Sequence, residues 1–337
     1  MLRKLFALLT VVLVFIFLFV LKDSFTQSTK INEKENLVVV SLAKDTPVLN
    51  IIFLKEKSDK NLTKNKYEFL FFNDFLEVLT ELANNKTDIA FIPSNLAAII
   101  HNKTNGMVKV VSISSLENFY IVGNNIFIKN IEDLKGKCVY VLKKNIYIKP
   151  IIEIILKKHN LSLENDLKVK VLKDDKSTIL DDLDSGKIET IVLNELDYLN
   201  LMALKKEDEH MPRYSKVINL NKEWLNLTNS TLPFTCLVAR KEFIEKRKDI
   251  FKMFLKDYVE NLTNAGKNLT KAANLANSIL NIEEEVIKKS IPNCNLVNIT
   301  GGEMFNLIDN FLKEILLLKK EDIGGKIPGT DFYYQIL

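Results

Sequence analysis

The sequence predicts an α/β protein of two lobes, each a mostly parallel sheet flanked by helices. Short β-branched runs alternate with amphipathic stretches, the pattern of parallel strands joined by crossover helices. Leu79, Leu82, Lys86, Asp88 and a buried strand to Ile92 return, at one constant offset, as Leu180, Leu183, Lys187, Glu189 and a strand to Leu193. Each copy runs into a polar helix start, Ser94-Asn95 or Asn194-Glu195. Two such units at equivalent places direct both strand edges at a shared cleft, and domain interfaces of that kind are preferred ligand sites.

The elements follow in chain order. Leu37–Leu42 reads as a buried strand, with Asp45-Thr46-Pro47 as the turn after it, and Tyr67–Phe72 as a second strand. Asn73 is placed to cap a helix with Phe75, Leu76, Leu79, Leu82 and Ala83 on one face. Ile89–Ile92 is a strand that stops at Pro93, and Ser94 or Asn95 is placed to cap the next helix. A helix start at a parallel-sheet edge offers free N–H groups to an anion or polar head. Strands are predicted at Lys109–Ser114, Phe119–Val122, Cys138–Leu142, Leu167–Leu172, Glu189–Leu193 and Thr235–Ala239, with helices over Ile148–Lys158, Asp175–Ser185 and from Glu195. Asn219–Pro233 reads as a linker. Helices then dominate, at Glu242–Ala265, Thr270–Leu280, Glu283–Lys289 and Gly302–Leu318.

Composition narrows the function. A chain of 337 residues with 47% hydrophobic and 27% charged residues has material for two domains. Its net charge of +4 arises from 47 basic and 43 acidic residues, well interspersed, which argues against a nucleic-acid partner. Cys138, Cys236 and Cys294 are far apart with no C-x-x-C, so neither a zinc site nor a disulfide framework is expected. His101, His159 and His210 have no metal-ligand spacing, and no metal or cofactor is expected. The common nucleophile, phosphate and zinc signatures are missing, so the chain does not read as an enzyme. The N-x-S/T sequons, Asn85 and Asn229 among them, read as accidents of an Asn-rich chain.

At the N-terminus, Arg3 and Lys4 precede an apolar run from Leu5 to Leu21 that ends at Lys22-Asp23. This is an export segment, and the positive-inside rule sends the rest of the chain outside the cytoplasm. No A-x-A site follows, which favours an uncleaved anchor over a cleaved signal. Residues 1–22 are thus the signal or anchor and 23–35 a polar tether.

An ordered set of motifs resembles a known family. Thr87-Asp88-Ile89-Ala90-Phe91-Ile92-Pro93-Ser94-Asn95-Leu96-Ala97-Ala98, Ile131–Lys137, the strand Thr235–Phe243, Ile291-Pro292-Asn293-Cys294-Asn295 and Gly324–Pro328 through Asp331–Tyr334 are similar to those of the nitrate/sulfonate/taurine-type substrate-binding proteins of ABC importers. The resemblance covers about residues 36–334 and implies the type II periplasmic-binding-protein fold. It implies crossing strands at Phe119–Asn124 and Phe234–Ala239, a first lobe of 36–122 plus 238–337, and a second of 123–237. The family's glycine-bearing ligand loops are replaced here by Ala43-Lys44-Asp45-Thr46-Pro47 and Lys143-Lys144-Asn145-Ile146-Tyr147, which changes how closely backbone can approach a ligand.

The candidate binding residues are Thr46 on the first loop, Ser94 and Asn95 at the first-lobe helix start, and Ser114 and Ser115 after the sheet strand. On the second lobe they are Lys143, Lys144, Asn145 and Tyr147, with Asn194 and Glu195 at the strand edge. The expected function is an extracytoplasmic, monomeric solute-binding protein, held at the membrane, that captures a small molecule in the interlobe cleft and delivers it to an ABC permease and ATPase. The alternative is a non-transport sensor or scaffold with a diverged or non-binding cleft.

Overall fold

The computed structural model describes residues 36–124, 128–163, 165–173, 176–204 and 214–334. The expected export segment and tether lie outside the described residues, as do Asp175 and His210. Among the described residues no helix is long and apolar enough to cross a membrane.

The first unit opens with β1 (Leu37–Ala43), α1 (Ile52–Asp59), β2 (Lys66–Phe72), α2 (Phe75–Ala83), β3 (Ile89–Pro93), α3 (Ser94–Lys103) and β4 (Val108–Ser115). The chain then enters a second unit of β5 (Phe119–Asn124), β6 (Cys138–Leu142), α4 (Lys149–Lys158), β7 (Lys168–Leu172), α5 (Lys176–Asp184), β8 (Thr190–Asn194), α6 (Glu195–Leu204), β9 (Tyr214–Asn219) and α7 (Leu220–Thr228). It returns through β10 (Thr235–Arg240), α8 (Lys241–Lys246), α9 (Lys248–Lys267), α10 (Leu269–Leu280), α11 (Glu284–Ser290), β11 (Leu296–Ile299) and α12 (Gly301–Leu318).

The sheets are β11-β4-β10-β3-β1-β2 and β7-β6-β8-β5-β9. In the first, β1 runs parallel to β2 and β3, and β10 lies antiparallel between β3 and β4. In the second, β6 runs parallel to β7 and β8, and β5 lies antiparallel between β8 and β9. Both sheets are therefore mixed: the second has one reversed strand, β5, and the first has two, β10 and the edge strand β11, which runs antiparallel to β4. The series β2-β1-β3-β10-β4 matches β7-β6-β8-β5-β9 strand for strand, which is the structural meaning of the sequence echo. The central strands β3 and β8 are buried throughout, as strands covered on both faces must be.

The strands expected to cross each pair within one sheet. Among the described residues β5 pairs with β8 and β9, and β10 with β3 and β4, so the passages between units are the short stretches at 116–118 and 229–234. The pairings thus assign all of β5 to the second unit and all of β10 to the first.

Several local expectations are corrected. Asp74, not Asn73, caps α2, accepting from the Glu77 N–H at 3.0 Å, while the Glu77 carboxylate accepts the N–H of Asn73, the residue before the cap, at 2.9 Å. The buried face of α2 is Phe75, Val78 and Leu82, and Leu76 is half exposed. Neither Ser94 nor Asn95 caps α3: Pro93 holds the cap position, and Ser94 is already helical. The expected linker holds β9's end and α7, whose Asn219 cap accepts the Lys222 N–H. The stretch Glu242–Ala265 breaks at Arg247 into α8 and α9. Asn85 and Asn229 have left-handed backbone at helix ends, a place where asparagine substitutes for glycine, so these residues have a turn-forming use.

The units are closed on each other. Trp224 of α7 and Phe311 of α12 meet edge to face at 5.6 Å, and Lys158 of α4 pairs with Glu314 of α12 at 3.0 Å. Leu196 of α6 shares an apolar cluster with Ile287 and Ile291 of the first unit. Tyr147 packs against Phe75 at 5.0 Å and Phe234 at 5.5 Å, joining the two cores.

Candidate functional site

Three sheet-edge loops converge between the units. After β1, Asp45 turns the chain into a short 3-10 helix, Thr46–Asn50, by accepting the Thr46 N–H at 2.8 Å, with Pro47 favouring the first turn. After β6, Lys143–Ile148 forms another 3-10 turn, kinked at Asn145. After β8, Asn194 caps α6 by accepting the Asp197 N–H at 2.8 Å, which sets Asp197 in the first turn, where the helix dipole favours an acid.

Their side chains interlock across the gap. Lys144 Nζ donates to Asp45 Oδ2 at 2.8 Å and to Asp197 Oδ1 at 2.6 Å, so one ammonium bridges carboxylates from both units. Asn194 Nδ2 donates to Asp45 Oδ1 at 3.0 Å, and Asn145 Nδ2 to Asp197 Oδ2 at 3.1 Å. The Tyr147 hydroxyl donates to Asn145 Oδ1 at 2.8 Å. On the first-unit side, the Thr46 hydroxyl donates to Glu117, which lies on the first passage. Asp45, Thr46, Glu117, Asn145 and Asn194 are all buried.

Burial governs the charges here. It pushes the Glu117 carboxyl well above the ordinary range, and the Asp45 carboxylate adds to the effect against the pull of the Thr46 hydroxyl. Burial also raises the Asp197 carboxyl, Lys144 opposing and Asp45 reinforcing. For Lys144, burial disfavours the charge, but Asp197 and Asp45 outweigh it and hold the ammonium charged beyond its usual range. Burial pushes the Cys294 thiol, 3.9 Å from the Thr46 hydroxyl, up as well, so it is no nucleophile.

The structure brings Thr46, Lys144, Asn145, Tyr147 and Asn194 into this centre. Asn95, Lys143 and Tyr147, together with Phe75 and Lys144, line an adjoining cavity of about 220 Å³ between α2, α3 and the Lys143–Ile148 turn. The three serines are spent on backbone. Ser94 donates to Pro233 O at 2.7 Å, Ser114 to Thr235 O at 3.0 Å, and Ser115 to Cys294 O at 3.1 Å. Glu195 stands apart, accepting from Asn293 at 3.3 Å and from Lys216, whose ammonium also lies over the Tyr120 ring at 4.3 Å. Asp45, Glu117 and Asp197 were not anticipated as site residues. The signal for Asp197 was its place three residues after Asn194, which reads as ordinary capping.

A larger groove of about 710 Å³ runs along the two passages, lined by Leu116, Leu225, Leu232, Leu262 and Leu269. Lys222 is its one charged lining residue, and the asparagines that share its wall, Asn118, Asn219, Asn221 and Asn295, bond to backbone groups, which leaves it less suited than the polar centre as a solute seat. Among the described residues no cluster of His, Cys, Asp or Glu could hold a metal ion.

Two such sheets, joined by paired passages and closed over a buried polar centre, define the periplasmic-binding-protein class. Residues 59–279 match the family model described as "ABC transporter, phosphonate, periplasmic substrate-binding protein", and the chain belongs to that family. It is similar in fold to an ABC transporter protein from Parabacteroides distasonis (17% identity, TM-score 0.68, 89% of this chain and 99% of that one). It is also similar to the periplasmic aliphatic sulphonate binding protein SsuA from Escherichia coli (14%, 0.68, 86% and 94%). A third similar structure is the alkanesulfonate-binding SsuA from Xanthomonas axonopodis pv. citri (11%, 0.65, 87% and 95%). No curated protein matches the sequence. The chain is an extracytoplasmic substrate-binding component of an ABC importer, partnered by permease and ATPase subunits, and not an enzyme.

Proposed function

We propose that the solute seat is the polar centre between the two sheets, walled by Asp45, Thr46, Glu117, Lys144, Asn145, Asn194 and Asp197. In this reading Asn95, Lys143 and Tyr147 form its entrance. Ser94, Ser114 and Ser115 hold the frame, and Glu195 braces the unit interface through Lys216. The observation that carries it is convergence: loops from the edges of both sheets bring hydrogen-bonding side chains to one buried place. Release of solute then requires the units to part about the passages at 116–118 and 229–234, a hinge motion.

The chain works as a monomer held at the membrane by residues 5–21, and by descent it lies in or near the nitrate, sulfonate and taurine branch. Membrane fractionation of the full chain and size-exclusion of residues 36–337 test these two points: a soluble full chain or a stable dimer contradicts them. The seat itself is tested by a thermal-shift screen of small anions and amines, followed by hydrogen exchange with the best hit. Protection is expected at 43–50, 142–148 and 193–198. Protection confined to the Leu225–Leu269 groove contradicts the assignment.

The bridge across the cleft favours one variant of this reading. A seat filled by the protein's own Lys144 also suits an extracytoplasmic sensor whose resting form is closed. A solute that stabilises the domain without any change in scattering-derived size would favour the sensor.

A further inference from the structure

We propose that the interlobe seat recognises an organic ammonium group, and that Lys144 is a tethered occupant of that seat, holding the cleft shut until a solute ammonium displaces it. The inference rests on the interlobe reading above and names the ligand chemistry of that same site.

The first observation is the geometry around Lys144 Nζ. Its two carboxylate partners come from different units, Asp45 at 2.8 Å and Asp197 at 2.6 Å. Both carboxylates are themselves oriented by second partners. Asn194 and the Thr46 N–H fix Asp45, and Asn145 fixes Asp197. Acceptors held in place by other residues are what a cation site needs, since they do not have to reorganise when the cation arrives. The third acid, Glu117, faces the same place from the first passage and accepts from Thr46.

The second observation is independent of the acids. The cavity of about 220 Å³ reaches the Lys144 side chain and has two aromatic walls, Phe75 and Tyr147. Their ring centroids are 5.0 Å apart, edge to face. Phe75, Leu96, Ile99 and Tyr147 line the cavity beside Lys144, whose own ammonium reaches the two carboxylates, so a short alkyl ammonium entering there would follow the path of that lysine side chain. The rim carries both signs, with Asp74, Glu153 and Asp322 among Lys143, Lys149 and Lys319, so it does not select for anions.

An anion at this centre would meet Asp45 and Asp197 without solvent between them, and would gain only an ammonium they already hold. A tethered group competes at a high effective concentration, so a free amine must bind the seat far more tightly once Lys144 is removed. That difference is measurable.

The test compares the wild-type domain (residues 36–337) with Lys144→Ala, titrating each with n-propylammonium chloride, which restores the atoms the substitution removes. Methylphosphonate and sodium chloride at equal ionic strength are the controls, with melting temperature and calorimetric affinity as readouts. The expected result is stabilisation of Lys144→Ala by n-propylammonium, with affinity at least about tenfold above the wild type, and no effect of methylphosphonate. Stabilisation by methylphosphonate instead overturns the ammonium assignment while leaving the interlobe seat standing. Response to neither probe also overturns it, and the seat falls only if a bound solute protects another surface. Should Lys144→Ala fail to fold alone, refolding yield with each probe present is the same test: recovery with n-propylammonium supports the proposal, and recovery with neither overturns it.

Discussion

Lys144 Nζ lies 2.8 Å from Asp45 Oδ2, and these two residues follow strands of different sheets, β6 and β1. With Asp197 at 2.6 Å on the other side, the contact turns two lobes into one closed body. Buried ion pairs are weak evidence of stability in themselves, because desolvation offsets the attraction. Removing one partner is another matter, since it leaves the remaining charge buried and unpaired.

Lys144→Ala is therefore expected to destabilise the domain by about 3–5 kcal/mol. Asp45→Asn, which keeps the shape and the Asn194 neighbour, should cost less than the lysine truncation. Urea unfolding at neutral pH measures both, and equal stability of all three proteins would show that the bridge is not a closing contact.

The pH dependence follows from Glu117. Its carboxyl is raised in the folded protein by burial and by Asp45, so the folded state holds the proton more tightly than the unfolded state. Stability from this group is present below the ordinary carboxylate pKa and is lost as pH rises toward the raised folded value. Glu117→Gln, which keeps an acceptor for Thr46, should flatten the decline and be more stable than wild type above that window. Chemical denaturation at mildly acidic and mildly alkaline pH decides it, and an unchanged slope in Glu117→Gln counts against the assignment. Lys144 is raised in the opposite chemical class. Its contribution is complete below the ordinary lysine pKa and is lost only as pH climbs through the higher folded value.

Tyr147 separates packing from hydrogen bonding. Tyr147→Phe removes only the donor to Asn145 and should cost about 1 kcal/mol. Tyr147→Ala also empties the space between Phe75 and Phe234 and should cost about 3–5 kcal/mol. Equal losses in thermal unfolding would mean that the ring does not join the two cores.

Far from the cleft, Arg240 donates to Thr87 O and to Asp88 Oδ1, each at 2.7 Å, while the Val39 N–H reaches Asp88 Oδ2. Arg240→Ala leaves Asp88 buried without its main cation and should cost about 3 kcal/mol, with solute binding unchanged once the protein is folded. A selective loss of solute affinity would place this clamp in the binding machinery.

The sequence carried the architecture because the repeated unit is written locally, in the apolar strands to Ile92 and Leu193 and the helices that follow them. What it did not carry depended on pairing across the chain. Nothing near Phe119 distinguishes a strand that crosses from one that joins the second sheet; that depends on β8 and β9. Trp224 in a supposed linker was an unread sign of a helix, because its partner, Phe311, is far along the chain. Within the site, Thr46, Asn145, Tyr147 and Asn194 were visible as polar loop residues at sheet edges. Ser94, Ser114 and Ser115 looked alike in that respect, yet each hydroxyl answers a neighbouring carbonyl. Asp45 and Asp197 were hidden because Asp45 caps its own turn and Asp197 lies in the first turn of α6, and an acid at either place has a sufficient local reason to exist.

Small-angle scattering of residues 36–337 without solute, wild type against Lys144→Ala, tests the central claim most directly. The account predicts a compact wild type matching the closed structure, and a measurably larger radius of gyration for Lys144→Ala as the units part about the two passages. A folded Lys144→Ala with the wild-type radius would contradict it, and the Lys144 bridge would then be a by-product of closure and not its cause.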